Sequence, residues 1–269
     1  YAFLWLVCFL GLWVLGLSVF EAFSESLSTV STGGFGLHNA NIAHYSHLTG
    51  VKVFVACMAC IASVSFITHA RVLRGDGWKA YQQDTECWMF FTALCIGIPV
   101  IAWYTDMHRW LDGYCSWIFM LTTSGHSVGE YASFSSGLSM FFLLLCLVGG
   151  CSASTSGGCK QIRVGYAIST VLQALRLLLH PRRVFAWIAG DTYDSRVVFA
   201  VHGYLFAMLA LVWGSVWLLV LGGVSIDTAF WATIACVTNT GQAIGTMAGG
   251  YAGLPSGCKW VLMLDMLIG

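Results

Sequence analysis

The sequence predicts an all-α polytopic membrane protein, built from repeated units of helix, short pore helix and helix around a central pore. Three observations predict it. Hydrophobic residues make up 58 % of the chain and charged residues only 9 %, against about 25 % charged in a typical soluble domain. Apolar runs recur at 1–20, 51–70, 88–104, 138–150 continuing into 162–179, 197–221 and 257–269, and crossing the hydrocarbon core takes roughly 20 such residues. Between them lie three shorter apolar stretches, each closed by polar residues and a glycine. This composition excludes a disordered chain and a water-covered surface. The formal net charge of zero excludes an electrostatic case for nucleic acid.

The runs are oriented by their flanks. Run 51–70 ends beside His69 and Arg71, and run 88–104 carries Pro99. Arg71, Arg74 and Lys79 lie in segment 71–87, and Lys160, Arg163, Arg176, Arg182, Arg183 and Arg196 in segment 159–196. The positive-inside rule places both in the cytoplasm, so segments 36–50, 105–137 and 222–256 face out. The first residue is Tyr1, which suggests an excerpt of a longer protein.

The short stretches are Glu21–Thr32, Leu111–Thr123 and Thr228–Thr240. They end in Ser31-Thr32-Gly33-Gly34, Thr122-Thr123-Ser124-Gly125 and Thr238-Asn239-Thr240-Gly241. Each reads as a helix that enters from outside, stops at mid-membrane and returns as extended backbone. Such backbone is tolerated at that depth only where it is buried or lines a watery cavity. Glycine allows the dihedrals that turn carbonyls toward an axis, where they replace the hydration shell of a cation. The helix C-termini add partial negative charge. A filter without carboxylates suits a monovalent ion better than Ca²⁺. A single copy would read as an ordinary helix cap, but the threefold repeat on one side points to a pore.

The stretch Gly149-Gly150-Cys151-Ser152-Ala153-Ser154-Thr155-Ser156-Gly157-Gly158, followed by Lys160, interrupts the fourth run. Rich in glycine and hydroxyls, it predicts an unwound span facing the pore. The alternative is a seam of small residues between helices.

These segments, together with Asn239-Thr240-Gly241-Gln242-Ala243-Ile244-Gly245 and Ala252-Gly253-Leu254-Pro255 before Lys259-Trp260, resemble the pore-forming subunit of the bacterial Trk/Ktr potassium transporter family, closest to the TrkH/TrkG type. The resemblance implies four channel-like units around one pore, three of them here. The second unit would span 1–74 and the third 88–179, with its second helix interrupted at 149–158. A truncated fourth would span 197–269, with cytoplasmic linkers at 75–87 and 180–196. It implies a potassium filter at Thr32, Gly33, Gly34, Thr123, Ser124, Gly125, Asn239, Thr240 and Gly241. It implies a gate loop carrying Gly149, Gly150, Ser152, Ser154, Thr155, Ser156, Gly157 and Gly158, with Lys160 at its cytoplasmic edge. K⁺ would be the transported ion, with no other cofactor and no covalent chemistry, so no enzyme is expected. The family also implies a homodimer in the bacterial inner membrane and a cytoplasmic nucleotide-binding regulatory subunit, TrkA-like. Its final helix continues into an arginine, one residue beyond Gly269. The chain departs from the family pattern at His126, where Phe is usual, and at Gln242-Ala243, where Pro-Gly is usual.

Other residues carry their own expectations. Cys8, Cys57, Cys60, Cys95, Cys146 and Cys236 lie in apolar runs and are expected to pack as small hydrophobes, although Cys57-Met58-Ala59-Cys60 would serve a membrane thiol oxidoreductase. His38, His44 and His47 read as a polar outer loop with no carboxylate nearby. Glu21 and Glu25 are expected to favour the positive end of the first pore helix. Glu130 is either a cation-attracting group or solvated surface. His180-Pro181-Arg182-Arg183 touches lipid head groups or a partner. Asp265, a carboxylate in an apolar helix, is expected to be functional, lining the pore, pairing with a base or serving a symporter that couples K⁺ to Na⁺ or H⁺.

Overall fold

The structure, a computed structural model, describes residues 1–129, 134–179, 195–242 and 250–269. The readings placed on Glu130, on His180–Arg183 and on Ala243–Gly245 lie outside the described residues. The described regular structure is helical. Helices α1 (Ala2–Val14), α2 (Val19–Val30), α3 (Thr49–Ser63), α4 (Phe66–Arg71), α5 (Lys79–Gln83) and α6 (Thr85–Tyr104) are followed by α7 (Trp110–Leu121), α8 (Ser136–Val148) and α9 (Gln161–Leu179). The chain then forms α10 (Ser195–Leu221), α11 (Ile226–Val237) and α12 (Ser256–Ile268).

Local chemistry sets several boundaries. Ser18 and Glu21 form a reciprocal capping box that starts α2, satisfying two backbone donors that a helix N-terminus leaves open. Asp84 caps α6 by accepting from Glu86 N. Ser135 does the same for α8. Helices α6 and α10 are long and apolar enough to cross a membrane alone.

The run 51–70 is not one straight span. Helix α3 and the helical stretch Phe66–Asp76 meet at an angle of 86°, with Val64 and Ser65 at the break. The second break lies between α8 and α9, where residues 149–160 leave helical geometry. The two breaks satisfy each other. Cys151 N donates to Ser63 O at 3.0 Å, and Phe66 N donates to Ala153 O at 3.0 Å. Thr155 donates to Ala62 O through its Oγ1 at 3.1 Å. Backbone groups freed at membrane depth need such partners.

Helices α2, α7 and α11 are the three short ones between spans, and each packs against its neighbouring long helices. Helix α7 is the most enclosed: Phe119 and Leu121 are fully buried, beside Trp117 and Met120. It is pinned from outside by Lys52 of α3, whose Nζ lies 2.6 Å from Asp112 Oδ1.

Candidate functional site

The three helix ends repeat one backbone geometry. Ser31, Thr122 and Thr238 close their helices in right-handed conformation. The next residue crosses to positive φ: Thr32 at 51°, Thr123 at 51° and Asn239 at 55°. Two residues later the glycines take positive φ again, at 67° for Gly34, 67° for Gly125 and 73° for Gly241. Positive φ costs an L-residue roughly 1–2 kcal/mol. It is held here by the same short bonds in each copy: Thr32 N to Thr29 O, Thr123 N to Met120 O and Asn239 N to Cys236 O, at 3.0–3.1 Å. Changes of hand between neighbouring residues turn consecutive carbonyls toward one side, which a uniform strand does not do.

The three segments also touch. A Cβ on Gly34 would collide with Ser124 O, and a Cβ on Gly125 would collide with Thr240 O. The backbones therefore approach more closely than any side chain would permit, in the order first, second, third. Gly241 has open space at its own Cβ position among the described residues.

The side chains around this ring differ between copies. Thr122 Oγ1 meets Ser124 Oγ at 3.2 Å and Thr238 Oγ1 meets Thr240 Oγ1 at 2.8 Å. In the first copy the corresponding position is Gly33, so this brace cannot form. Its support comes from the return loop: Asn41 Nδ2 donates to Gly34 O at 2.7 Å, and Asn41 Oδ1 accepts from Ile42 N at 2.7 Å. His126, fully buried behind the second glycine, lies with Nδ1 3.3 Å from the same Asn41 Oδ1. The departure from Phe at this position thus ties the second copy to the first.

The 149–158 stretch lies against all three segments. Thr32 Oγ1 donates to Thr155 O at 2.9 Å. Gly157 N donates to Thr123 Oγ1 at 2.5 Å. A Cβ on Gly157 would collide with Thr238 O. Within the stretch, Ser154 Oγ bridges Cys151 O at 2.6 Å and Ser156 Oγ at 2.8 Å, and Gln161 Nε2 donates to Gly149 O at 2.9 Å. Lys160 Nζ turns back onto Ser156 O. Ser152 faces away, toward Glu86 Oε1. Gly150 packs on Ser156, and Gly149 and Gly158 pack against each other.

Over residues 83–269 the chain matches the family model described as TrkH, cation transport protein. The chain belongs to this family. It is 31 % identical over 278 residues to the Trk system potassium uptake protein TrkH of Halomonas elongata, covering 100 % of this chain and 57 % of that protein. It is 27 % identical over 278 residues to TrkH of Salmonella typhimurium, again covering 100 % of this chain and 57 % of that protein. The crystal structure of the potassium transporter TrkH from Vibrio parahaemolyticus superposes with a TM-score of 0.93 at 27 % identity, covering 99 % of this chain and 59 % of that one. The chain thus spans just over half the length of the TrkH relatives it matches. Its potassium-channel-like repeat of pore helices follows from that superposition.

Several expectations are corrected. Cys57 is exposed and Cys60 partly so, because positions 53, 57, 60 and 61 form the outer stripe of α3 rather than its core face. A carboxylate does lie beside the histidines: His38 Nε2 is 3.3 Å from Glu21 Oε1, and His38 stacks on His44. Glu21 serves the helix start as expected, but Glu25 is buried and accepts from Leu37 N at 3.3 Å. One and a half turns into α2, it braces the returning loop. Asp265 pairs with a hydroxyl rather than a base: Ser215 Oγ donates to its Oδ1 at 2.6 Å. Sequence reasoning missed Asn41 and Glu86 because their partners are 7 and 66 residues away. An asparagine seven residues past Gly34 was the only local signal.

Proposed function

We propose that this chain supplies three quarters of a potassium uptake pathway in the bacterial inner membrane. Carbonyls at Thr32–Gly34, Thr123–Gly125 and Asn239–Gly241 replace the hydration shell of K⁺, and three helix C-termini add negative potential. A further segment of the full-length protein closes the ring on the open side of Gly241. The observation that carries this reading is the threefold repeat of one strained backbone geometry in touching segments. Strain of this kind persists where surrounding structure over-determines it, commonly at functional sites.

The 149–158 loop acts as the gate. It lies against Thr32, Thr123 and the Thr238 carbonyl, where it would obstruct an ion leaving the filter. The chain works as a homodimer beside a cytoplasmic, nucleotide-binding TrkA-like subunit, within a lipid bilayer. Coupling of K⁺ to Na⁺ or H⁺ is the second reading, favoured by Asp265: a carboxylate only 1 % exposed in an apolar helix is costly, and at membrane depth such groups mark ion or proton pathways.

The test is Rb⁺ and Na⁺ flux into liposomes holding the full-length parent protein, wild type beside Gly125→Ser. Rb⁺ flux exceeding Na⁺ flux, with that preference lost in the variant, is expected. Selectivity untouched by the substitution would return the three glycines to ordinary helix caps.

A further inference from the structure

We infer that Glu86 is a positioning residue that latches the 149–158 loop in the pathway, so that weakening Glu86 opens the gate. The inference rests on the reading of that loop as a gate.

Glu86 stands in the first turn of α6, on the far side of the loop from the filter, and is only 8 % exposed. Its Oε1 accepts from Ser152 N at 2.9 Å, Ser152 Oγ at 2.9 Å and Ile162 N at 3.0 Å. One oxygen therefore holds both ends of the part of the loop that meets the filter, since Thr155 and Gly157 lie between residues 152 and 162. Ile162 N belongs to the first turn of α9, whose open donors favour a negative charge. Bonds to a charged acceptor are stronger than neutral ones. Because the three converge on a single atom, one change of side-chain rotamer releases both ends together.

The latch is itself held from the cytoplasmic elbow. Asp84 Oδ1 accepts from Glu86 N at 3.0 Å, and Asp84 Oδ2 accepts from Thr68 Oγ1 of α4 at 2.5 Å. Helix α4 returns to the loop through Phe66 N and Ala153 O at 3.0 Å. Loop, Glu86, Asp84 and α4 thus form one closed circuit. The elbow of residues 72–83, which joins α4 to α6, is the part of this circuit that a cytoplasmic partner can reach.

The experiment uses the full-length parent protein in liposomes and reads Rb⁺ flux per folded transporter. The variants are Glu86→Gln, Ser152→Ala, a deletion of three loop residues within 153–156, and the deletion combined with Glu86→Gln. Glu86→Gln keeps the shape and removes the charge, and is expected to raise flux about tenfold, the equivalent of one charge-assisted bond. Ser152→Ala removes one of the three bonds and is expected to raise flux less, and it serves if Glu86→Gln folds poorly. The deletion is expected to raise flux most, and the combined variant no further, because both act on one element. Flux unchanged by Glu86→Gln and by Ser152→Ala, with the deletion still raising it, overturns the latch and leaves the gate. Multiplying effects in the combined variant also overturn the latch. A deletion that leaves flux unchanged overturns the gate reading beneath it.

Discussion

Helices α2 and α7 end in the same positive-φ backbone geometry from opposite surroundings. Helix α7 is buried along apolar side chains from Trp117 to Leu121, whereas α2 buries Glu25, Ser26, Ser28 and Thr29 and leaves Phe23 and Leu27 exposed. Yet Thr32 and Thr123 share φ 51°, and Gly34 and Gly125 share φ 67°. The backbone conformation therefore does not depend on which face is apolar. In a membrane, exposed apolar side chains cost little, because the solvent there is as apolar as the protein interior. What the two helices share is the chemistry of their ends: a hydroxyl at the last right-handed residue, a threonine at positive φ and a glycine two residues on. The support differs. In the second copy the hydroxyls of Thr122 and Ser124 brace the turn from within, while the first borrows Asn41 and Glu25 from outside it.

The largest expected effect comes from exchanging the glycines for alanine in the full-length parent protein. Gly34→Ala and Gly125→Ala combine positive φ with a collision against the next segment's carbonyl, and each should abolish Rb⁺ preference over Na⁺ in liposome flux. Gly241→Ala combines positive φ with no close neighbour among the described residues; with a further segment closing the ring on that side in the full-length protein, it should lose the preference as fully as the other two. Preference retained by Gly241→Ala alone would show that no further segment approaches that glycine.

A smaller effect separates the helices by their outer anchors. Lys52 is buried, while the Asp112 side chain is 42 % exposed. Asp112→Ala leaves a buried ammonium without its partner and should destabilise the protein by about 3 kcal/mol. Lys52→Met leaves a carboxylate that water can reach and should cost clearly less. Thermal unfolding in detergent reads both, and equal losses would contradict the asymmetry. Helix α2, which carries no such pair to α3, should be unaffected by either change.

The smallest effect belongs to the start of α2. The hydroxyl and backbone N–H of Ser18, and then His38, hold Glu21 well below its ordinary value of 4.5, at about 2. A depressed carboxylate contributes stability that is fully present above its unfolded-state value and is lost as pH falls through the folded one. The contribution should therefore fade between about pH 4.5 and pH 2. Because Glu21 is solvated, it amounts to less than about 1 kcal/mol. Glu21→Gln should flatten that part of the acid unfolding curve, and an unchanged curve would remove the capping box from the account.

The spans, the short pore helices and the glycine-ended returns were legible in the chain, because length, hydropathy and chirality act locally. The acidic start of α2 at Glu21 was visible for the same reason, whereas its reciprocal partner Ser18 emerged only in the structure. The broken span at Val64–Ser65 was not, because nothing in 51–70 is unfavourable for a straight helix. The break is stabilised by partners some 90 residues later, at Cys151, Ala153 and Thr155. The outward placement of Cys57 and the environment of Glu25 were hidden too, since an apolar helix carries no periodicity that marks its core face when lipid is on the other side.

The sequence by itself determined that this chain is a membrane protein with three re-entrant returns, because the bilayer permits only helices, or irregular backbone lined by protein or water. Only the tertiary structure decided how those returns touch, that the interrupted helix lies against all three of them, and that Glu86 and Asn41 hold the parts in place. Those are contacts between groups far apart in the chain, and their geometry exists only once every span has packed.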